Sequence, residues 1–244
     1  MISEASLLVH ETTEQLHRSV AEMLVDVIRR SLRERETCIL TLSGGKTPRP
    51  IYNRIGTSPL KELVDWGRVH LLFGDERMVP PGDPRSNFHM VERELLSGIP
   101  IPSKNVHRMA GEKEPAVAAR EYESDLQKLL SRGRHRIDCA LLGLGKDGHT
   151  ASLFPESSVL QERVALTRPV FVQRQGTWRV TMTLPLINTA RRVVFVVAGK
   201  EKAGIMRRLS REQSPTTLLP ASLVQPIDGE LVWMIDREAA SELT

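Results

Sequence analysis

Residues 38–42 (CILTL), 69–73 (VHLLF) and 137–142 (IDCALL) are short runs dominated by apolar side chains, and glycine-bearing sequence halts each of them. A strand with one wet face alternates apolar and polar residues, whereas runs like these fit strands buried on both faces. Between them lie segments of helical period. In 12–35, Leu16, Val20, Met23, Leu24, Val27, Ile28 and Leu32 recur at i, i+3, i+4 spacing, with Thr12 and Thr13 as candidate N-caps. Thr47-Pro48 opens a second helix, and further helices are expected at about 86–96 and over 114–131. More strands are expected at 179–184, 193–198 and 231–235. Strands alternating with helices build βαβ units. The expected fold is therefore α/β, a mostly parallel open sheet with helices on both faces (Rossmann-like), forming one domain over 1–244.

Several classes of protein drop out. The longest unbroken apolar stretch, 193–198, is far short of the ~20 residues that span a bilayer. Met1-Ile2-Ser3-Glu4 has neither the basic nor the apolar region of a secretory leader, so a cytoplasmic location is expected. Cys38 and Cys139 sit inside apolar runs and outside any CxxC or Cys/His cluster, the pattern of buried, inert thiols rather than a disulfide or a metal site. The balance of 34 Lys+Arg against 30 Asp+Glu, with acids interleaved and 4% aromatics, does not describe a nucleic-acid binder. It suits a small anionic ligand.

In open sheets of this type ligands gather beyond the carboxyl ends of the strands, where three polar segments stand. Ser43-Gly44-Gly45-Lys46-Thr47 offers backbone N–H groups, hydroxyls and one cation before a helix N-terminus, an arrangement suited to an anion and equally to a plain strand–turn–helix link. Gly74-Asp75-Glu76-Arg77, with Asn87 further on, brings a guanidinium suited to phosphate oxygens, and equally reads as solvated loop charges or a structural acid–base pair. Gly143-Leu144-Gly145-Lys146-Asp147-Gly148-His149 ends in an imidazole, whose ordinary pKa near 6.5 lets it take a proton at neutral pH, with Asp147 two residues away to orient it. His17 and His107 lack such a setting and read as surface or packing residues.

Three superficial motifs fail. Gly143, Gly145 and Gly148 spell GxGxxG, but Pro155 follows early and no acid stands near 168. Gly45-Lys46-Thr47 mimics the end of a P-loop, but position 40 is Leu rather than Gly. Ser43 has Thr at 41 and so misses the GxSxG elbow. The clusters Arg132–Arg136 and Arg207-Arg208 read as solvated turns or helix ends.

Taken together, LSGGKTP (42–48), FGDERMVPPGDPRSN (73–87), LLGLGKDGHTASLFP (141–155) and the weaker VTMTLPLIN (180–188) and VAGKEKA (197–203) resemble the 6-phosphogluconolactonase family, within the group that includes glucosamine-6-phosphate isomerase/deaminase. The resemblance implies hydrolysis of 6-phospho-D-glucono-1,5-lactone to 6-phosphogluconate in the oxidative pentose phosphate pathway, with no metal and no organic cofactor. It implies His149 as the general base that activates water, assisted by Asp147. It also implies a phosphate anchor drawn from Arg77, Arg179 and Lys200 with the loop Ser43, Gly44, Gly45, Lys46 and Thr47, while Asp75 and Asn87 meet sugar hydroxyls or hold their loop. The partner implied is a small sugar phosphate, with no nucleic acid and no membrane, for a monomer or a small homo-oligomer.

Two positions depart from the wider group. The isomerase/deaminase branch carries a Glu before the Pro of this segment, where this chain has Phe154. Lys46 stands where a small Ser or Thr is usual, and either adds charge at the anion site the resemblance implies or points to solvent. The alternatives to a lactonase are the isomerase/deaminase, disfavoured by Phe154, and a non-catalytic sugar-phosphate sensor. The ~35 residues before the first expected strand leave no room for the DNA-binding segment such sensors carry.

Overall fold

The computed structural model describes residues 6–130, 136–211 and 219–243. In chain order its strands are β1 (Ser6–His10), β2 (Cys38–Leu42), β3 (Val69–Phe73), β4 (Asp75–Arg77), β5 (Val106–His107), β6 (Cys139–Leu142), β7 (Thr167–Val172), β8 (Thr177–Met182), β9 (Arg192–Val197) and β10 (Glu230–Asp236). The helices are α1 (Thr13–Glu34), α2 (Pro48–Ile55), α3 (Asn87–Glu94), α4 (Pro115–Leu130), the single turn α5 (Leu184–Ile187) and α6 (Ala203–Ser210).

Seven strands form one sheet in the order β1-β10-β9-β6-β2-β3-β5, with every pairing parallel. The apolar runs supply both of its faces. Cys38, Leu40 and Leu42 of β2 pack with Leu16, Leu24 and Ile28 of α1, Tyr52 of α2 and Val91 of α3. Ile39 of β2 faces the other way, with Ala140 of β6, Phe195 of β9, Tyr122 and Leu126 of α4, and Met206 of α6. Side chains alternate along a strand, so a run buried on both sides must be apolar at successive positions. Thr12 caps α1 by accepting from the Gln15 N–H at 3.1 Å.

Chain order makes the topology decisive. β3 and β5 extend the sheet to one side of β2, and the chain then crosses back to place β6 on the other. The β2/β6 boundary is a topological switch point, where loops diverge and leave a crevice beyond the strand ends. The segments after β2, β3, β6 and β9 all leave from that same edge.

The structure departs from the sequence reading at several strands: β1, β4, β5 and β7 are not among those expected. The strand expected at 179–184 ends at Met182, and Thr183 precedes the turn α5 that begins at Leu184, its hydroxyl turned to the Ala165 carbonyl. This strand lies outside the parallel sheet, in a second antiparallel sheet ordered β4-β8-β7. β7 carries no readable strand pattern because Pro169 interrupts it; as an edge strand it tolerates the missing N–H. Of the basic clusters, 132–135 lie outside the described residues and Arg136 donates to the Thr189 carbonyl at 2.7 Å; Arg207 and Arg208 stand in the last turn of α6, as expected, with Arg207 paired to Glu242 at 2.8 Å.

Candidate active site

The loop after β6 does not continue into a helix, so the GxGxxG resemblance has no structural counterpart. Instead it curls back, with the Gly145 N–H donating to the His149 carbonyl at 2.8 Å and the Gly148 N–H to the Gly145 carbonyl at 3.0 Å. Gly148 has φ +83°, a left-handed conformation that this reversal requires. The curl sets the side chains of residues 147 and 149 beside each other: His149 Nδ1 lies 2.5 Å from Asp147 Oδ1. Burial pushes the Asp147 carboxyl up, but the hydrogen bond and charge of His149 outweigh it and hold it below the usual range. An ionised carboxylate only accepts, so Nδ1 carries the proton and Nε2 presents the basic lone pair. The imidazole stacks on Phe154, with centroids 4.3 Å apart at 29°.

A second group of side chains lies on the small sheet. Arg77 of β4 stands directly opposite Arg179 of β8, so both side chains leave the same face. Like charges so placed repel. Asp75, two residues from Arg77 on that face, offsets them with Oδ2 at 3.4 Å from Arg179 Nη1. Ser152, from the β6 loop, donates to the same Asp75 oxygen at 2.6 Å, and Arg179 Nη1 lies 3.3 Å from its hydroxyl. The Arg179 guanidinium also lies 5.6 Å from the ring centroid of Phe154. Phe154 therefore touches both His149 and Arg179. Burial and the neighbouring Arg77 weaken the hold of Arg179 on its proton, and Asp75 opposes them.

Asn87 opens α3 and donates to the Asp75 backbone carbonyl at 2.9 Å and to Oδ1 at 3.1 Å. Asp75 and Asn87 thus hold the loop. Glu76, absent from the expected set, is the buried anchor of this helix start: it accepts from the N–H groups of Arg77, Asn87 and Phe88 and from the Ser86 hydroxyl at 2.7–2.9 Å. Its burial pushes the carboxyl up against these donors.

The Ser43–Thr47 loop reaches the same region. A Cβ on Gly44 would stand 1.8 Å from Asn87 Oδ1, so only glycine lets the loop pack on that amide. Ser43 engages the Tyr52 hydroxyl through both its N–H and its carbonyl at 2.9 Å, which leaves its side chain outside that pair. Gly45 (φ +107°) and Lys46 are exposed, and Thr47 has helical torsions with no side-chain cap bond. Lys200 is exposed as well. Its neighbour Lys202, not among the expected residues, turns inward: Nζ donates to the Leu144 carbonyl at 2.6 Å. Burial and Lys146 lower its pKa, while Glu201 and Asp147 oppose them. Only the geometry of the turn after β9 distinguishes the two lysines.

Beside the dyad a cleft of about 1160 Å³ extends between Pro155, Val159, Phe171 and Trp178. Among the described residues no three His, Cys, Asp or Glu side chains are grouped to hold a metal, and no helix is long and apolar enough to cross a membrane.

Fold and site together define a parallel α/β protein with an imidazole–carboxylate pair and a cross-strand arginine pair at the active edge of its sheet. The chain belongs to the glucosamine-6-phosphate isomerase/6-phosphogluconolactonase family, whose sequence profile matches residues 11–233. It is 34% identical to the 6-phosphogluconolactonase of Haemophilus influenzae over 82% of this chain and 85% of that protein. It is 34% identical to that of a Nostoc species over 96% of each. The crystal structure of 6-phosphogluconolactonase from Thermotoga maritima superposes with a TM-score of 0.82 at 28% identity, covering 96% of this chain and all (100%) of that one.

Proposed function

We propose that this chain is a 6-phosphogluconolactonase, one lactonase domain that works in the cytosol and opens 6-phospho-D-glucono-1,5-lactone to 6-phosphogluconate in the oxidative pentose phosphate pathway. The observation that carries this reading is the 2.5 Å pairing of His149 Nδ1 with Asp147 Oδ1, which leaves Nε2 as a base. Nε2 takes a proton from water as the water oxygen bonds to C1, and the carbonyl electrons move onto oxygen. Cations and backbone N–H groups at the strand ends stabilise that oxyanion. When it collapses, the bond from C1 to the ring oxygen breaks, and the imidazolium returns its proton to that oxygen. The new carboxylic acid loses its proton to solvent. Asp147 stabilises the transient imidazolium without itself taking the proton.

The phosphate is assigned to the other group of side chains, Arg77 and Arg179, with the Ser43–Thr47 loop, Lys46 and Lys200 at its margin and Asp75 and Asn87 fixing the loops. Phe154 weighs against the deaminase reading, because an apolar ring fills the stack on His149 where that branch carries a carboxylate. The test is proton release from freshly generated lactone, measured above spontaneous opening. The wild type accelerates it and His149→Ala falls to the uncatalysed rate. A variant with full activity overturns the mechanism, and ammonia release from glucosamine 6-phosphate overturns the assignment.

A further inference from the structure

The turn joining β7 to β8, residues 173–176, belongs to none of the loops at the edge of the parallel sheet. Even so, it brings the exposed Gln175 against the site: Gln175 Oε1 accepts from Arg179 Nη2 at 2.6 Å, the shortest contact that guanidinium makes. We propose that Gln175 is a positioning residue for the phosphate anchor, setting Arg179 in place without cancelling its charge. The inference rests on the reading of Arg77 and Arg179 as phosphate ligands.

The argument starts from the guanidinium's donors. Arg179 Nη1 faces Asp75 and Ser152, and Nη2 faces Gln175. Nε is buried and has no hydrogen-bond partner, and the same holds for Nε of Arg77 across the strand pair. Neither guanidinium is therefore saturated by the protein, and two unsaturated arginines side by side favour an anion. With contacts on both terminal nitrogens, the plane of the Arg179 guanidinium is set while donors remain for a ligand.

The chemistry of residue 175 matters as much as its position. One carboxylate, Asp75, already faces Arg179 on the Nη1 side. A second carboxylate on Nη2 would hold the group equally well but would neutralise it and repel phosphate. An amide oxygen accepts the hydrogen bond and leaves the positive charge for the ligand. The side chain is also well placed geometrically: Gly176 has φ +59°, closing a tight turn that brings residue 175 back over β8 only four positions before Arg179.

Two substitutions separate this role from a merely structural one. Gln175→Glu keeps the acceptor and adds charge; Gln175→Met keeps the size and removes the acceptor. Lactone kinetics and calorimetric binding of 6-phosphogluconate are measured together, with thermal melts to show that each variant folds. For Gln175→Glu, KM and the dissociation constant both rise by roughly tenfold or more with kcat within about twofold, as expected for a competing charge at hydrogen-bond distance. Gln175→Met raises both by roughly threefold, in the range of one neutral hydrogen bond. If the Glu variant matches wild type in KM and product binding, or the Met variant does, the inference is overturned while the lactonase reading stands. A wild-type protein that neither accelerates lactone opening nor binds 6-phosphogluconate removes both.

Discussion

The imidazole of His149 lies directly over Gly145, so that a Cβ built on that glycine would come within 2.0 Å of Nδ1. The only room for the ring in its present pose is the space a side chain at 145 would take. Gly145→Ala is therefore expected to push the ring off Asp147 and lower kcat by about 10²-fold, the scale of an ångström-sized misplacement of a catalytic group. Steady-state kinetics with a thermal melt check this. A variant with wild-type kcat shows that the pose is not the working one.

Asp147→Asn places an amide where a carboxylate fixes the tautomer. The amide can donate to Nδ1 and move the proton to Nε2, so kcat is expected to fall by about 10²–10⁴-fold. The same residue gives a stability signature. Its folded pKa is depressed, so its contribution is complete above the ordinary carboxylate value of about 3.9 and is lost as pH falls through the lower folded value. Denaturant unfolding of the wild type and the Asn variant should differ at pH 7 and converge toward pH 2. A gap that widens in acid contradicts the pairing.

Phe154 carries the His149 stack on a surface that also meets Arg179. Phe154→Leu removes the flat platform while staying apolar, and kcat should drop by roughly 2–10-fold, the kinetic equivalent of one aromatic contact. Phe154→Glu is expected to lose lactonase activity without gaining release of ammonia from glucosamine 6-phosphate. Appreciable ammonia would mean that this one position separates the two chemistries.

The two lysines after β9 make an internal comparison. Lys202 contacts the Leu144 carbonyl in the dyad's own loop, and Lys200 is exposed. Lys202→Ala should lower kcat/KM by roughly tenfold and Lys200→Ala by less than about twofold, following the difference between a partly desolvated and a solvated charge. The reverse order in the kinetics would make Lys200 a principal phosphate ligand rather than a marginal one.

Cys38 and Cys139 are both buried, and burial pushes the Cys139 thiol up to about 12 and that of Cys38 further still. Thiolate is the reactive form, so neither residue should react with a thiol reagent in the native protein at pH 8. Both should react once the protein is unfolded in denaturant. Rapid labelling of the native enzyme would point to opening of the sheet around β2 and β6.

Much of the architecture was legible because it is written in local chemistry. Burial on both faces demands consecutive apolar residues, and 38–42 and 69–73 satisfy it, as does the β6 run with its start displaced to Cys139. Helical period similarly marked α1 and α4. The small antiparallel sheet was not legible in this way. Asp75–Arg77 is three charged residues, and Pro169 disguises β7. Their pairing follows from register with a distant strand rather than from any pattern of their own.

The site divides along the same line. Asp147 and His149 are two residues apart, so the sequence by itself determined that an imidazole and a carboxylate share one turn after a buried strand. Only the tertiary structure decided that Arg179 meets Asp75 and Ser152, that Gly44 lies under Asn87, and that Lys202 rather than its neighbour faces the β6 loop. The physical reason is range. Torsional preference and burial act within a few residues, whereas these contacts join segments up to 104 positions apart. Such segments meet where strand order reverses and their loops converge on one edge of the sheet.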